Sequence, residues 1–439
     1  MNVATVAADV VVTIRRRAMY RRTEMSGGMT RRAVVAAGLR AGAGLAGLTA
    51  AGALLGCGDS GDSAAAGGRP EGPIKLGTLQ PITGALSSSW MPTFLALDVA
   101  VEEINRAGGV LGQRIELIRT DDEGAPGREP AAVRKLSGEG VRFIAGPTGS
   151  SQTLSALAAT TPARIISCGY AGDDEVGDAS RYPYHYSCIF NTTQSARTAV
   201  RFALDDLRTR RIGILSENTA YGSASTKAST ELLAQEGVKP VSVQTYPIDA
   251  QDLRPYLRNL REAGAEVLLG WVGSGAALVQ LVSGLKSLSW YVPLVGHTSL
   301  LLTPIVAGMP EQMLDQTYGM YYRPLTWTRS EPIAAPQERF ASSIQGFRET
   351  PTLGVAMAAA PYYDFAHLLT EAIGRARTLD VAAVKEEMDA IRDHSTLLGN
   401  VTFTAEEHSG LADEDVVLAT ARSADDRRAR GVFRERASS

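Results

Sequence analysis

The sequence predicts an α/β protein built as two doubly wound, Rossmann-like lobes behind an export leader. Short apolar runs alternate with amphipathic stretches from Ile74 onward, and a second series of the same kind begins after Thr192. Ahead of both, an arginine-rich, then Ala/Gly/Leu-rich stretch ends at Cys57.

The totals bound the reading. With 439 residues, 44% hydrophobic and 21% charged, the chain has globular composition, which argues against general disorder and against a multi-span membrane protein. A net charge of -3 offers no strong attraction for nucleic acid. Three cysteines cannot make a disulfide scaffold in so long a chain, and no CxxC or Cys/His cluster has metal-ligand spacing. No metal and no cofactor are expected.

Residues 1–57 carry Arg15, Arg16, Arg17, Arg21, Arg22, Arg31, Arg32 and Arg40 against the acids Asp9 and Glu24. The mildly apolar run from Ala33 to Leu55 suits a signal peptide better than a permanent span. Thr30-Arg31-Arg32-Ala33-Val34 resembles a twin-arginine signal, with the general secretory route as the alternative. Met25 and Met29 both precede it, so translation starting downstream of Met1 is an open alternative. Leu54-Leu55-Gly56-Cys57 resembles a bacterial lipobox, which makes Cys57 a lipid anchor; each buried methylene adds about 0.8 kcal/mol of membrane affinity. The alternative for Cys57 is a free thiol after a leader. Residues 58–73, rich in Gly, Ser, Ala and Asp, read as a flexible tether. Gly42, Gly44 and Gly47 satisfy GxGxxG, but no strand precedes them and no βαβ unit surrounds them, so the match is rejected.

The first series has strands at Ile74 to Leu79, Ile115 to Thr120, Val141 to Ala145 and Arg164 to Ser167. Between the first two, Thr93 to Arg106 places Phe94, Leu97, Val101 and Ile104 at helical spacing, and Gly108-Gly109 stops the helix. In the second series the strands are Ile212 to Leu215, Val241 to Tyr246, Val267 to Gly270 and Leu294 to Val295, with helices at Leu253 to Ala263 and Ala276 to Leu288. Two such sets place a ligand in the crevice at the carboxyl ends of the strands.

At Ile104-Asn105-Arg106-Ala107-Gly108-Gly109-Val110-Leu111-Gly112, followed by Ile115 to Thr120 and Asp121-Asp122, the chain resembles the leucine/isoleucine/valine-binding family of type I periplasmic solute receptors. Pro81-Ile82-Thr83-Gly84, Ile144-Ala145-Gly146-Pro147, Ser150-Ser151, Ala220-Tyr221-Gly222 and Tyr363-Asp364 follow in the family's order. The resemblance covers roughly 74–419. It implies two lobes joined by three crossovers that close over a small polar solute like a hinge, and delivery of that solute to an ABC transporter permease by a monomeric receptor. Lobe 1 would be 74–191 plus 321–403, lobe 2 would be 192–320 plus 404–425, and 426–439 would be a tail.

The resemblance also names a site. Gly149, Ser150 and Ser151, in the loop 146–153 after the third strand, would hold a carboxylate with hydroxyls and free N–H groups at a helix start; a plain helix cap is the alternative. Gly169, Tyr170 and Ala171, in the turn after the fourth strand, would form a second contact, with Ala171 where the family usually has threonine. Tyr221, in a loop, would touch the ligand from lobe 2. Amino-acid-binding members place an acid just after the strand Leu294-Val295, where this chain has His297-Thr298. That departure turns the expectation toward an amide, a urea-like molecule or an organic or aromatic acid, with His297 either a neutral donor or a satisfied structural histidine. Trp90 and Trp271 would face the cleft as aromatic walls or fill cores, with Ser89 and Gly273 beside the ligand. Cys168 and Cys188 flank neighbouring strands in a compartment that permits disulfides, so a bridge is possible.

A sensor or regulator on the same fold is a second reading. A hydrolase is a third, and GxSxG, HExxH and P-loop motifs are all missing from the sequence.

Overall fold

The computed structural model describes residues 72–84, 86–345, 360–424 and 433–437. The expected leader, 1–57 with Cys57, and the expected tether as far as residue 71 lie outside the described residues. No helix among the described residues is long and apolar enough to cross a membrane.

One parallel sheet and one mixed, mainly parallel sheet organise the chain. The first has five strands, β1 (Ile74–Gln80), β2 (Ile115–Asp121), β3 (Phe143–Thr148), β4 (Ile166–Tyr170) and β5 (His185–Tyr186), in the order β2-β1-β3-β4-β5. All its pairings are parallel. Strands buried on both faces read as continuous apolar runs, and β3 is buried along its whole length.

The second sheet takes β6 (Ile212–Glu217), β7 (Ser242–Tyr246), β8 (Val267–Trp271), β9 (Leu294–Gly296), β10 (Thr317–Tyr322) and β11 (Thr326–Trp327). After the small hairpin of β12 (His394–Ser395) and β13 (Asn400–Val401), β14 (Val416–Ala424) and β15 (Arg434–Arg436) complete the order β11-β15-β14-β10-β9-β8-β6-β7. The strands β7-β6-β8-β9-β10 are mutually parallel, while β14 runs antiparallel to β10. The helices Ala335–Gln345 and Ala360–Ala376 return the chain to the first sheet's side, where both pack on the helix Phe94–Arg106.

The strand order reverses between β1 and β3 in one sheet and between β6 and β8 in the other. Each reversal opens a crevice at the carboxyl ends of the strands.

Local chemistry explains the elements. The helix Phe94–Arg106 buries Phe94, Leu97, Val101 and Ile104, as their spacing requires. Its exit is pinned by Asn105, whose Nδ2 donates to the Ile115 carbonyl at 2.9 Å and whose Oδ1 accepts the Ile115 N–H at 2.7 Å. Gly109 has φ +75°, and a Cβ there would stand 1.9 Å from the Gln113 carbonyl oxygen, so the Gly-Gly stop is steric.

Four readings need correction. The fourth strand begins at Ile166 and runs on to Tyr170, because Cys168 and Tyr170 pair with Ala145 and Thr148; of the turn expected at 169–171, Gly169 and Tyr170 are strand. Within the loop read at 146–153, Pro147 and Thr148 still belong to β3, and a helix starts at Ser150. Tyr221 sits in the first turn of the helix Ala220–Gln235 and not in a loop. Finally, the tail carries β15, which joins β11 and β14, so the second sheet draws on residues beyond 320 and beyond 425. Arg434 explains why: it is buried and donates to the carbonyls of Leu301 at 2.7 Å and Ala421 at 3.2 Å.

Candidate ligand site

A cavity of about 70 Å³ lies where the two reversals face each other. A single water needs about 10–15 Å³ by the same measure, so the space suits a ligand displacing roughly five waters.

Its first wall is Thr148 to Gln152. Gly149, at φ +109°, turns the chain from β3 into the helix Ser150–Thr160, and a Cβ there would stand 2.3 Å from Gln152 Oε1. The Gly149 N–H donates to the Tyr170 carbonyl at 2.8 Å, which ties the turn to β4. Ser150 Oγ accepts the Asp173 N–H at 3.1 Å and keeps its own proton for a ligand. The first N–H groups of a helix lack intrahelical partners, and the end of the helix they mark is positive, so this wall carries the donors and potential that favour an anion.

The second wall is Glu217, Thr219, Tyr221, Gly273, Ser274 and His297. Thr219 caps the helix Ala220–Gln235 by accepting the Gly222 N–H, and Ser274 caps the helix Gly275–Ser287 by accepting the Ala277 N–H. The walls touch: the Ala220 N–H donates to Ser151 Oγ at 3.2 Å. Leu86 and the exposed Ile248 add apolar surface, and Ile189, Phe190 and Ser195 close the side where the chain passes from one sheet to the other.

Aromatic rings line the middle. Trp90 and Tyr170 have centroids 4.9 Å apart, His297 lies 5.9 Å from Trp90, and Tyr221 lies 5.0 Å from His297. The Tyr170 and Tyr221 hydroxyls are buried without a completed hydrogen bond, and burial pushes both up in pKa, so both stay protonated donors. Burial also lowers His297 to about 4, so the ring is neutral at physiological pH. Its Nδ1 faces Ser299, 3.2 Å from the backbone N and 2.8 Å from Oγ, which leaves Nε2 for a ligand.

Of the expected site residues, Trp90, Gly149, Ser150, Ser151, Tyr170, Tyr221, Gly273 and His297 meet at this cavity. Others do not. Ala171 packs on Leu157 and Val176; Gly169 faces Thr153 inside the fold. Thr298 Oγ1 donates to the Met320 carbonyl at 2.9 Å, facing β10. Trp271 is fully buried and donates from Nε1 to Ser229 Oγ at 3.1 Å, so it is core. Ser89 belongs to the turn Ser87–Trp90, and its side chain lies outside the described residues. Cys168 and Cys188 are buried free thiols, not a bridge; the Cys168 thiol and burial together push Cys188 up.

Sequence reasoning missed Glu217. Its signal was its place at the end of β6, just before the Thr219 cap, at the reversal of strand order. Among the described residues no group of three or more His, Cys, Asp or Glu side chains is arranged to hold a metal.

Two doubly wound sheets whose switch points share one cavity define the class of type I periplasmic binding proteins. The chain belongs to the periplasmic binding protein family, whose model matches residues 73–426. It is 27% identical over 334 residues to the Leu/Ile/Val-binding protein homolog 7 of Brucella abortus (strain 2308), covering 72% of this chain and 81% of that protein. A type 1 periplasmic binding protein from Bordetella pertussis Tohama I superposes with a TM-score of 0.72 at 24% identity, over 79% of this chain and 96% of the other. The branched-chain amino acid transporter substrate-binding protein LivJ from Streptococcus pneumoniae, solved with isoleucine, gives 0.68 at 18% identity, over 79% and 96%. These likenesses establish the fold.

Proposed function

We propose that the chain is the extracytoplasmic solute receptor of an ABC importer, exported by its leader and held at the membrane by lipid on Cys57. Its ligand is one small polar solute of amino-acid, amide or organic-acid type. Each sheet with its helices forms one lobe, about 74–191 plus 321–403 and about 192–320 plus 404–425, with β11 and β15 added to the second. The lobes close over the solute, and ligand binding favours the closed arrangement by its differential affinity for it.

A single observation carries this reading: one cavity is walled from both sheets, by the Ser150 helix start on one side and by Tyr221 and His297 on the other. The Ser151–Ala220 contact is the kind of bond that closure would make.

A thermal-shift panel of amino acids, amides and aromatic acids should contain a compound that raises the melting temperature without being consumed. Ser150→Ala should weaken its binding about tenfold, the loss of one charge-assisted hydrogen bond worth about 1.5 kcal/mol, and should lower the stability of the free protein by about 1 kcal/mol because the Asp173 N–H loses its acceptor. Tyr221→Ala, removing a ring from the cavity, should weaken it by a similar factor. Silence across the panel, or turnover of a compound, would remove the reading.

A further inference from the structure

Glu217 is the one formally charged side chain that lines the cavity among the described residues; no Arg or Lys joins it. It is 5% exposed and takes part in no ion pair among the described residues. Oε1 accepts the Thr219 hydroxyl at 2.8 Å, and Oε2 accepts the Gly273 N–H at 2.9 Å. A carboxylate offers about four acceptor sites, so this group has capacity left for the contents of the cavity. Donors fix its position from two connections, after β6 and after β8, as a recognition group requires. Burial raises its pKa, the mark of an acid without a cation beside it.

The anion seat stands against it. Ala220, three positions after Glu217, donates to Ser151 Oγ at 3.2 Å, so the acid and the start of the Ser150 helix are held on facing walls of one small space. A simple monocarboxylate would satisfy the helix start and leave a buried acid uncompensated, which is costly. A ligand that also bears a protonated amine completes both walls.

We propose that Glu217 recognises a ligand ammonium, so the natural solute carries a protonated amine close to its carboxylate. The acid missing at Thr298 is thereby supplied from the end of a different strand, and the expected turn toward non-amine ligands is reversed. This inference rests on the solute-receptor reading and deepens it.

Matched pairs test it on the purified full-length chain, by titration calorimetry with leucine against isocaproate and phenylalanine against hydrocinnamate. The amine-bearing member of the better-bound pair should bind at least about tenfold more tightly. Glu217→Gln should reduce that preference to about threefold or less by weakening the amine-bearing member, while the deaminated acid, relieved of a buried carboxylate facing its own, binds as well as before or more tightly. A general packing defect would instead weaken both members alike, which overturns the assignment. Should the variant fail to fold, the wild-type pairs decide alone, since equal binding of amine and deaminated acid contradicts the proposal. Binding by neither pair nor by any other amine of the panel overturns it as well, whereas binding of deaminated acids only would leave the receptor reading standing.

Discussion

Gly296→Ala is expected to cost about 3 kcal/mol or more of unfolding free energy, the upper part of the range for overpacking a core. Gly270, Gly296 and Gly319 lie in register across β8, β9 and β10. A Cβ on Gly296 would stand 2.0 Å from the Gly270 carbonyl oxygen, a backbone atom that no rotamer change can move. The strands would have to part, although Gly296 is the last residue of β9 and sets the position of His297, whose N–H donates to the Gly270 carbonyl at 3.3 Å. Gly270→Ala is the control. Its nearest neighbour is Leu294 Cδ1 at 3.1 Å, the end of a flexible side chain, so that variant should lose only about 1 kcal/mol. Urea denaturation followed by circular dichroism measures both, and equal losses would show that the close approach of β8 and β9 is not rigid.

The strands at Ile74, Phe143, Ile212, Val267 and Leu294 were legible because parallel strands covered on both faces are largely apolar. Legibility failed where burial is earned by pairing instead. Ser216 and Glu217 end β6 as polar residues, so a reading of the apolar run alone stopped at Leu215 and passed over the acid in the cavity. Arg434–Arg436 carries only charged residues, yet Arg434 reaches carbonyls in the second sheet, contacts that no local pattern announces. For the site, Ser150 and Tyr221 followed from motif order. Trp90 and Trp271 carried the same two readings in the sequence, and only the fold sends one ring to Tyr170 and His297 and the other to Ser229. Thr298 was misjudged for a similar reason: a one-residue step along the turn aims its hydroxyl at Met320 while His297 faces the cavity.

Stability should fall as pH rises through the neutral range, and Glu129→Gln should remove most of that slope. Glu129 opens the helix Glu129–Gly138, fully buried, with neither carboxyl oxygen hydrogen-bonded. Burial raises it to about 9, and the neighbouring Asp122 adds to the effect. Asp122 is raised to about 7, by burial first, with the Gly124 N–H pulling the other way and Asp121 reinforcing the rise. A helix N-terminus favours a carboxylate by about 0.3–1 kcal/mol, too little to offset the loss of water around a buried charge. The native state therefore keeps a proton that the unfolded chain has released, from the ordinary glutamate range near 4.5 up to about 9. Unfolding releases protons throughout that window, so each step up in pH favours the unfolded chain; below the window both states are protonated and no penalty exists. Glutamine cannot ionise. The variant should match the parent at about pH 5 and exceed it at about pH 8.5 by on the order of 2 kcal/mol, leaving a shallower slope from Asp122 and from Asp364, which burial likewise raises to about 7. Urea midpoints of the two proteins across this range check the claim, and parallel pH profiles would mean that Glu129 ionises in the folded protein as readily as in the unfolded chain.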